Sequence, residues 1–212
     1  KNLSNTEIAE TAFHIERDIL NHPIGKQADY IAAFGGFNSI NFSSKKTEVM
    51  PINLSSSSFN ELQENLLLFN TGATRKSSDV LKNQLSSIQN QNTSTLNSIH
   101  KAKELAEELH DSLKNSNLQN FAEILNKGWE AKKKFTNGVS NERINKIYES
   151  AISNGATGGK ITGAGGGGHI LLYCEKNKQT LLKEKMKQLD LSFVKFNFHK
   201  NGPKVINIYD HR

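Results

Sequence analysis

A glycine-rich segment is the part of this sequence whose residue types point most directly to chemistry. Residues 160–173 read KITGAGGGGHILLY, in which Gly163 and Gly165 to Gly168 are followed at once by an apolar run. Glycine adopts backbone dihedrals closed to other residues and has no side chain. Such a loop can therefore lie against a phosphate group or another loop and present several amides to it. A flexible linker is the alternative, but linkers mix Gly with Ser and lack apolar flanks. We predict a functional loop that binds an anion or packs closely against other backbone.

The first third of the chain predicts a helix and then strands. Ser4-Asn5-Thr6-Glu7 is a capping box, and apolar residues at helical spacing carry the pattern to about Leu20. Asn21-His22-Pro23 ends the helix, Gly25 to Tyr30 reads as a loop, and strands are expected within residues 32–42 and 46–53. We interpret Ser55 to Ser58 as a turn or connector. It marks the boundary between two predicted domains, 1–57 and 58–212.

The remainder predicts the elements that would position the glycine loop. Leu66 to Phe69 reads as a short buried strand, and residues 77–156 are helical, with a helix junction within 86–98. After the loop we expect a strand, a helix and two strands: 170–175, 179–189, 192–199 and 204–209. This order predicts an α+β layer arrangement.

Composition narrows the classes of protein. The 212 residues are 35% hydrophobic with a mean hydropathy of −0.58, and no segment has the length and apolarity of a membrane span. We expect a soluble, cytoplasmic protein without a membrane partner. The net charge of +6 and the pI of about 9.3 raise the possibility of a nucleic-acid partner. Because the lysines are scattered, we expect none. The single cysteine, Cys174, is interpreted as a core residue.

Three separated segments together resemble the GHMP kinases, the family of galacto-, homoserine, mevalonate and phosphomevalonate kinases. They are IERDILNHPIGKQADYIAAFGGFN at 15–38, LLLFNTGATRKSSDVL at 66–81, and 129–173, which runs from WEAKKKFTNGVS through GGKITGAGGGGHILLY. The likeness is greatest to the branch that phosphorylates D-glycero-D-manno-heptose 7-phosphate. It implies the end of a ribosomal-S5-like N-terminal kinase domain, followed by a ferredoxin-like GHMP C-terminal domain with inserted helices.

One family motif is absent from these 212 residues. The main ATP-binding element of the family is a P-x-x-x-G-L-G-S-S loop at a helix N-terminus, where amides and the helix dipole hold the triphosphate. Nothing here resembles it, and in the family it would lie just upstream of residue 1. The resemblance thus covers the C-terminal two-thirds of a kinase, and we expect no phosphorylation by this chain alone.

The resemblance assigns acidic roles to the first third. Glu16 matches the residue that coordinates Mg²⁺ in the family. In place of the branch's G-K-Q-D-x-Y, residues 25–30 read G-K-Q-A-D-Y, so the aspartate position holds Ala28 and a carboxylate follows at Asp29. We predict Asp29 as the acting carboxylate and leave open an impaired base. Lys26 is the second predicted catalytic residue, since it could hold a phosphate oxygen or lower the pKa of the carboxylate.

The resemblance also assigns binding residues. Arg75 suits a sugar phosphate, because the guanidinium fork matches phosphate geometry. Lys132 and Lys133 either meet a substrate phosphate or line a solvated helix face. The predicted substrate-binding residues are Arg75, Thr71, Gly72 and Gly36. The predicted nucleotide-binding residues are Thr162, Gly163, Ala164, Gly165, Gly166, Gly167 and Gly168.

What the resemblance implies is an ATP- and Mg²⁺-dependent kinase of the anomeric hydroxyl of D-glycero-D-manno-heptose 7-phosphate. Its partners would be ATP and the sugar phosphate, with a homodimer left open. One alternative changes the acceptor to another sugar such as fucose or galactose. Another, based on Ala28 and the missing ATP loop, is a catalytically dead member of the family that binds a ligand or partner.

Overall fold

A computed structural model describes residues 3–73 and 77–204 of the chain. The described residues divide into two compact units, residues 3–52 with 198–204, and residues 53–197. The first division lies near the boundary expected from Ser55 to Ser58, whereas residues 198–204 group with the first unit. The domain assignment 1–57 and 58–212 stays a prediction.

The first unit begins with the predicted helix. Helix α1, Asn5–His14, opens with the capping box: the Ser4 hydroxyl accepts from the Glu7 amide at 3.2 Å, and the Glu7 carboxylate accepts from the Ser4 amide at 2.8 Å. The helix continues through a π-helical turn, Ile15–Ile19. Asn21 then takes a positive φ of 54°. The prediction of a helix to about Leu20 is confirmed.

A second helix corrects the expectation for residues 25–34. Helix α2 spans Gln27–Phe34, so the predicted loop is wrong from Gln27 onward, and the expected strand does not begin at residue 32. The cause is tertiary packing, because Tyr30 and Ala33 lie one turn apart and are buried in a cluster with Ala9 of α1. Strands β1, Asn38–Phe42, and β2, Thr47–Pro51, form an antiparallel pair that confirms the later strand predictions.

Residues 198–204 run against the end of α2. A Cβ atom on Gly35 would lie 2.4 Å from the carbonyl carbon of Asn201, and one on Gly202 would lie 2.0 Å from the carbonyl oxygen of Ala33. Gly35 also has a positive φ of 64° as it ends α2. Only glycine permits this close crossing of two backbone segments.

The second unit contains the remaining elements. Its helices are α3 Ser56–Asn65, α4 Ser77–Gln89, α5 Thr93–Lys114, α6 Leu118–Lys132, α7 Glu142–Ser153 and α8 Gln179–Gln188, with a 3₁₀ turn at Lys176–Lys178. Its strands are β3 Leu66–Asn70, β4 Ala156–Ile161, β5 His169–Cys174 and β6 Ser192–Val194.

The four strands form one antiparallel sheet in the order β4-β5-β3-β6. Numbered along this unit, the strand order is 2-3-1-4, with helices in both crossovers. This is the βαββαβ ferredoxin-like arrangement, in which the first crossover contains four helices, α4 to α7, instead of one. The predicted α+β class and the predicted ferredoxin-like domain with inserted helices are therefore confirmed. The helix junction within 86–98 is confirmed as well, since α4 ends at Gln89 and α5 begins at Thr93.

Two sequence expectations in this unit are wrong. Ser55 to Ser58 is the start of α3, where the Ser55 hydroxyl accepts from the Ser58 amide at 3.1 Å. Strand β4 was not expected: the predicted helical region runs to residue 156, and no strand is predicted before the glycine loop, since ATGGKI contains two glycines, which strands disfavour. A Cβ on Gly158 would lie 2.0 Å from the Ala122 carbonyl oxygen of α6, so the glycine lets the helix rest directly on the strand.

The end of the chain is only partly described. Strand β6 covers three of the eight residues predicted as strand at 192–199. The strand predicted at 204–209 lies outside the described residues, apart from Lys204.

The core of the second unit lies between the sheet and helices α6, α7 and α8. Trp129, Ile147 and Leu172 are fully buried there, and burial of each such side chain stabilises the fold by roughly 1.5–3 kcal/mol. Cys174 is a free thiol, also fully buried, as predicted. This core fixes β4 and β5, the two strands that carry the glycine loop.

Candidate functional site

The glycine loop, residues 162–168, connects β4 to β5 and is held by backbone bonds from three segments. The Thr162 amide donates to the His169 carbonyl at 2.9 Å, which closes the hairpin. The Gly166 amide donates to the Val139 carbonyl at 2.8 Å. The Gly168 amide donates to the Ala73 carbonyl at 2.7 Å. The loop therefore has a defined conformation that depends on its neighbours.

Close packing explains why two of its glycines cannot be replaced freely. A Cβ on Gly165 would lie 2.7 Å from the Val139 carbonyl oxygen, and one on Gly167 would lie 2.5 Å from that of Ala73. Gly165 also has a φ of 105°, which other residues rarely adopt. The structure thus contains the close backbone approach that the glycine run predicts.

Part of the loop keeps its amides available. Within the described residues, no hydrogen-bond acceptor contacts the amides of Gly163, Ala164, Gly165 or Gly167. Successive backbone amides with changing handedness of φ form concavities that bind anions. The loop can therefore donate to phosphate oxygens, and the predicted nucleotide-binding role of residues 162–168 stays a prediction.

Two lysines lie at the start of the loop. Lys132, the last residue of α6, donates its Nζ to the Gly163 carbonyl. Burial lowers the pKa of the Lys132 amine to about 8, and the charge of Lys160 adds to the effect. Burial also lowers the pKa of Lys160, which is on β4. Lys132 therefore does not lie on a fully solvated helix face, whereas Lys133 pairs with Glu130 at 2.7 Å.

The segment after β3 supports the far end of the loop. Thr71 is buried, and both its amide and its hydroxyl donate to the Gly168 carbonyl at 2.9 Å. The Gly72 amide donates to the Asn70 side chain at 2.8 Å, and Gly72 has a φ of 69°. Substrate binding by Thr71 and Gly72 stays a prediction, although these donors are used within the protein. Arg75 lies outside the described residues.

Arg143 ties this segment to a second helix. Its guanidinium donates to the Thr71 carbonyl at 3.3 Å and to the Leu189 carbonyl at 3.4 Å. Arg143 is on α7 and Leu189 follows α8. Arg143 thereby fixes Thr71, the residue that donates to the Gly168 carbonyl.

In the first unit, Lys26 serves a different carboxylate from the one expected. Its Nζ pairs with Glu10 at 2.7 Å, and the Tyr30 hydroxyl donates to the same carboxylate. These two contacts lower the pKa of Glu10. That Lys26 lowers the pKa of the Asp29 carboxyl stays a prediction, whereas burial and the charge of Glu16 raise that pKa. The catalytic role predicted for Lys26 stays untested.

Asp29 is in the first turn of α2, not in a loop. Its Oδ2 atom is buried and has no hydrogen-bond partner within the described residues. Burial raises the pKa of Asp29, and the negative charge of Glu16 raises it further. Because α2 is helical, the step from Ala28 to Asp29 rotates the side-chain direction by about 100°. The neighbouring Ala28 is exposed.

Glu16 lies in the π-helical turn that follows α1, and its side chain is exposed. Such turns are rare and occur frequently at functional sites. The described residues contain no group of three or more His, Cys, Asp or Glu side chains arranged to hold a metal ion. Because the charge of Glu16 acts on Asp29, we treat these two residues as an acidic pair, and metal binding by Glu16 stays a prediction.

Gly36 has a structural use. Its amide donates to the His199 carbonyl at 2.8 Å, and its φ is 66°. A Cβ there would meet the Lys200 carbonyl oxygen at 3.5 Å, an ordinary contact. The predicted substrate contact of Gly36 stays a prediction.

Sequence reasoning missed three residues that shape these sites: Lys160, Arg143 and Glu10. Lys160 lies two residues before the loop on a glycine-containing strand, and that position was the available signal. Glu10 is on α1, and no local sequence pattern links it to Lys26, which lies 16 residues later. Arg143 had no signal, since its acceptors are backbone carbonyls distant in sequence.

Known proteins resemble this chain in sequence and fold. Residues 103–189 match the family described as GHMP kinases C terminal. The D-glycero-alpha-D-manno-heptose 7-phosphate kinase of Campylobacter jejuni is 32% identical over 95% of this chain and 59% of its own length. The bifunctional fucokinase/GDP-fucose pyrophosphorylase of Arabidopsis thaliana is 26% identical over 68% of this chain and 14% of its own length.

A solved structure agrees with these similarities. A D-glycero-D-manno-heptose 1-phosphate kinase from Bacteroides thetaiotaomicron superposes with a TM-score of 0.71 and 26% identity, covering 98% of this chain and 57% of that one. The chain thus spans less than two-thirds of the length of the heptose kinases that it resembles. No helix among residues 3–73 and 77–204 combines the length and apolarity needed to cross a membrane.

Proposed function

The chain carries the C-terminal domain of the GHMP kinase family, and on this premise we propose that it is part of an ATP-dependent sugar kinase. The proposed reaction transfers the γ-phosphate of ATP to the anomeric hydroxyl of D-glycero-D-manno-heptose 7-phosphate. Similarity to a heptose 7-phosphate kinase along 95% of the chain supports this acceptor. We place the enzyme in the cytoplasm. A homodimer stays a prediction.

The state of Asp29 is the observation that carries this proposal. Phosphoryl transfer needs a group that orients or deprotonates the attacking hydroxyl, together with cations that offset the charge of the phosphates. Asp29 has a buried oxygen without a partner and a raised pKa, so it accepts a proton more readily than a solvated aspartate. In the proposed reaction it takes the proton of the anomeric hydroxyl as that oxygen attacks the γ-phosphorus.

The acidic pair fits a magnesium ion. Mg²⁺ in phosphoryl-transfer enzymes keeps several waters and binds one or two carboxylates together with substrate phosphates. Glu16 is exposed, and its charge acts on Asp29, whose Oδ2 atom is buried and has no hydrogen-bond partner within the described residues. When bound, the ion would neutralise phosphate charge. Glu16 is the residue that we propose to hold it.

The glycine loop supplies donors for phosphate oxygens. The amides of Gly163 to Gly165 have no acceptor within the described residues and are not fully buried, and the rest of the loop is fixed by three backbone bonds, so these amides need no rearrangement to donate. Preorganised donors of this kind stabilise developing negative charge effectively. We propose that they contact the ATP phosphates.

A kinase assay with matched variants tests the proposal. The protein expressed from its complete coding sequence is incubated with radiolabelled ATP and heptose 7-phosphate, and labelled sugar bisphosphate is measured. We expect turnover, and a decrease in kcat of about 10²-fold or more for Asp29→Asn. Asp18→Asn, which alters an exposed acid in the turn that holds Glu16, is the control and should retain activity. An Asp29→Asn enzyme with unchanged kcat would exclude Asp29 as the base.

Two alternatives give different outcomes in the same assay. The similarity to a fucokinase favours a second acceptor class, so faster labelling of fucose or galactose than of the heptose would replace the proposed substrate. Ala28, at the position of the family's aspartate, is the reason for the second alternative, a catalytically dead protein that binds a ligand or partner. Absence of turnover with every sugar, combined with activity gained by Ala28→Asp, would support that alternative.

A further inference from the structure

Two lysines, Lys132 at the end of α6 and Lys160 near the end of β4, lie at the start of the glycine loop, and we call them the cationic pair. Lys132 ends α6 and its amine contacts the loop at the Gly163 carbonyl. Lys160 is the second-last residue of β4, and its charge acts on Lys132. Both side chains are partly buried. Two positive charges held together away from water are unfavourable unless an anion joins them.

No such anion comes from the part of the chain that the structure describes. Among residues 3–73 and 77–204, no carboxylate lies within ion-pair distance of Lys132 or Lys160. Other lysines of the chain do have carboxylate partners within 4 Å, for example Lys26, Lys46, Lys133 and Lys176. Within the described residues, the pair at the loop is therefore a concentration of positive charge without a carboxylate partner.

The adjoining backbone adds donors of the same kind. The amides of Gly163, Ala164 and Gly165 have no acceptor within the described part of the chain. A cationic pair and unpaired amides at the same loop are the two features that phosphate sites combine. Neither feature requires the kinase activity for its interpretation.

We propose that Lys132 and Lys160, together with the unpaired amides at the start of the glycine loop, bind a phosphate group. The terminal phosphates of a nucleotide and the phosphate monoester of a sugar share the chemistry that this site recognises. Lys132 joins the two features, because the amine that faces the ligand also holds the loop through Gly163. The site lies entirely within residues 53–197.

Binding to the 212-residue chain tests this site without turnover. Inorganic phosphate, ATP and heptose 7-phosphate are titrated separately by calorimetry at constant ionic strength, with chloride as the screening control. We expect the Kd of the ligand that binds to rise about 10-fold or more in Lys132→Gln and in Lys160→Gln. Lys127→Gln, an exposed lysine on the same helix, should bind as the unmodified chain does. Tighter binding of ATP or of the sugar phosphate identifies the source of the phosphate.

A second readout keeps the test valid if a glutamine variant fails to fold. NMR of the lysine amines in the unmodified chain should show the pKa of Lys132 rising when phosphate binds, because an anion favours the charged amine. Lys132→Arg should retain binding. An unchanged Kd in both glutamine variants, or an unmoved Lys132 signal at saturating phosphate, would overturn the proposal.

The outcomes of the two proposals are distinguishable. Phosphate binding lost in the lysine variants, with no sugar phosphorylated by the unmodified protein, would contradict the proposed function only. Normal phosphorylation with no lysine effect on binding would contradict this site only.

Discussion

The glycine loop of the second unit and the carboxylate pair of the first are built by different means. Backbone hydrogen bonds from three segments hold the loop, and glycine is required where other backbone approaches within 2.5–2.7 Å of a Cβ position. The carboxylate pair depends on side-chain environment: a buried oxygen on Asp29, an exposed Glu16, and a neighbouring Glu10–Lys26 ion pair. The loop should therefore tolerate substitution poorly. Substitutions in the acidic pair should have smaller effects, each limited to the charge that is removed.

The largest effect should come from the loop. Gly167→Ala places a Cβ 2.5 Å from a backbone oxygen, and we expect it to lower the free energy of unfolding by about 3 kcal/mol. Gly163→Ala is the matched control, since its Cβ would meet nothing within 4 Å and only its φ of 66° is unfavourable, at about 1 kcal/mol. Urea denaturation measures both. Equal losses would show that the close approach does not govern the loop.

A smaller effect, dependent on pH, should come from Lys132. Its folded pKa of about 8 is below the ordinary 10.5, so the folded state disfavours the charged amine. This penalty is complete below pH 8 and disappears as the pH rises through 10.5. Relative to Lys132→Met, the unmodified chain should therefore gain about 2 kcal/mol of stability across that interval.

The comparison with Lys132→Met is needed because other groups titrate there. Burial raises the pKa of Cys174 to about 11 and raises that of Tyr148, and both groups destabilise the fold as the pH rises past the ordinary pKa of their side chains. These contributions cancel in the difference between the two chains. Urea denaturation of both chains at pH 7, 8, 9 and 10 measures the difference in their free energies of unfolding. A difference that is constant with pH would contradict the prediction.

Glu10→Gln should have a still smaller effect. It removes the ion pair with Lys26 and weakens the acceptor for Tyr30, which we expect to lower the free energy of unfolding by about 1 kcal/mol because the pair is partly exposed. The lowered pKa of Glu10 means that this stability is present above its ordinary pKa of 4.5 and is lost as the pH falls through the folded pKa. A double-mutant cycle with Lys26→Met measures the coupling. Additive losses would show that the two residues do not interact.

The smallest effect concerns Asp29. Glu16→Gln removes a nearby negative charge, so the pKa of Asp29 should fall but stay above its ordinary value, because burial remains the larger cause. Carboxyl-carbon NMR titration measures this shift. Asp18→Asn, in the same turn as Glu16, should leave it unchanged. A larger shift from Asp18→Asn than from Glu16→Gln would contradict the assignment of the interacting pair.

The fold could be predicted where local pattern decides it. The capping box at Ser4, the apolar periodicity of α5 to α7 and the buried strand β3 all follow from residue spacing. Helix α2 could not be predicted, because its formation depends on burial of Tyr30 against another helix. Strand β4 was missed since its glycines, unfavourable in isolation, serve the contact with α6.

The candidate site divides in the same way. The glycine loop could be predicted, since close backbone packing and exposed amides both follow from the lack of a side chain in glycine. Asp29 was identified from the sequence, but the direction of its side chain was not, because that direction depends on α2 being a helix. The interaction of Lys160 with Lys132 could not be predicted, because it joins a strand to a helix that ends 28 residues earlier along the chain.

The attachments of the glycine loop have a mechanical consequence. Gly166 and Gly168 are fastened to backbone carbonyls, whereas the stretch from Gly163 to Gly165 is secured through one lysine amine. Because the Thr162 amide closes the hairpin and Gly165 packs on Val139, we expect the backbone of the loop to stay in place when a ligand binds. The long side chain of Lys132 is then the element that adjusts to the size of the ligand, while the sheet beneath does not move.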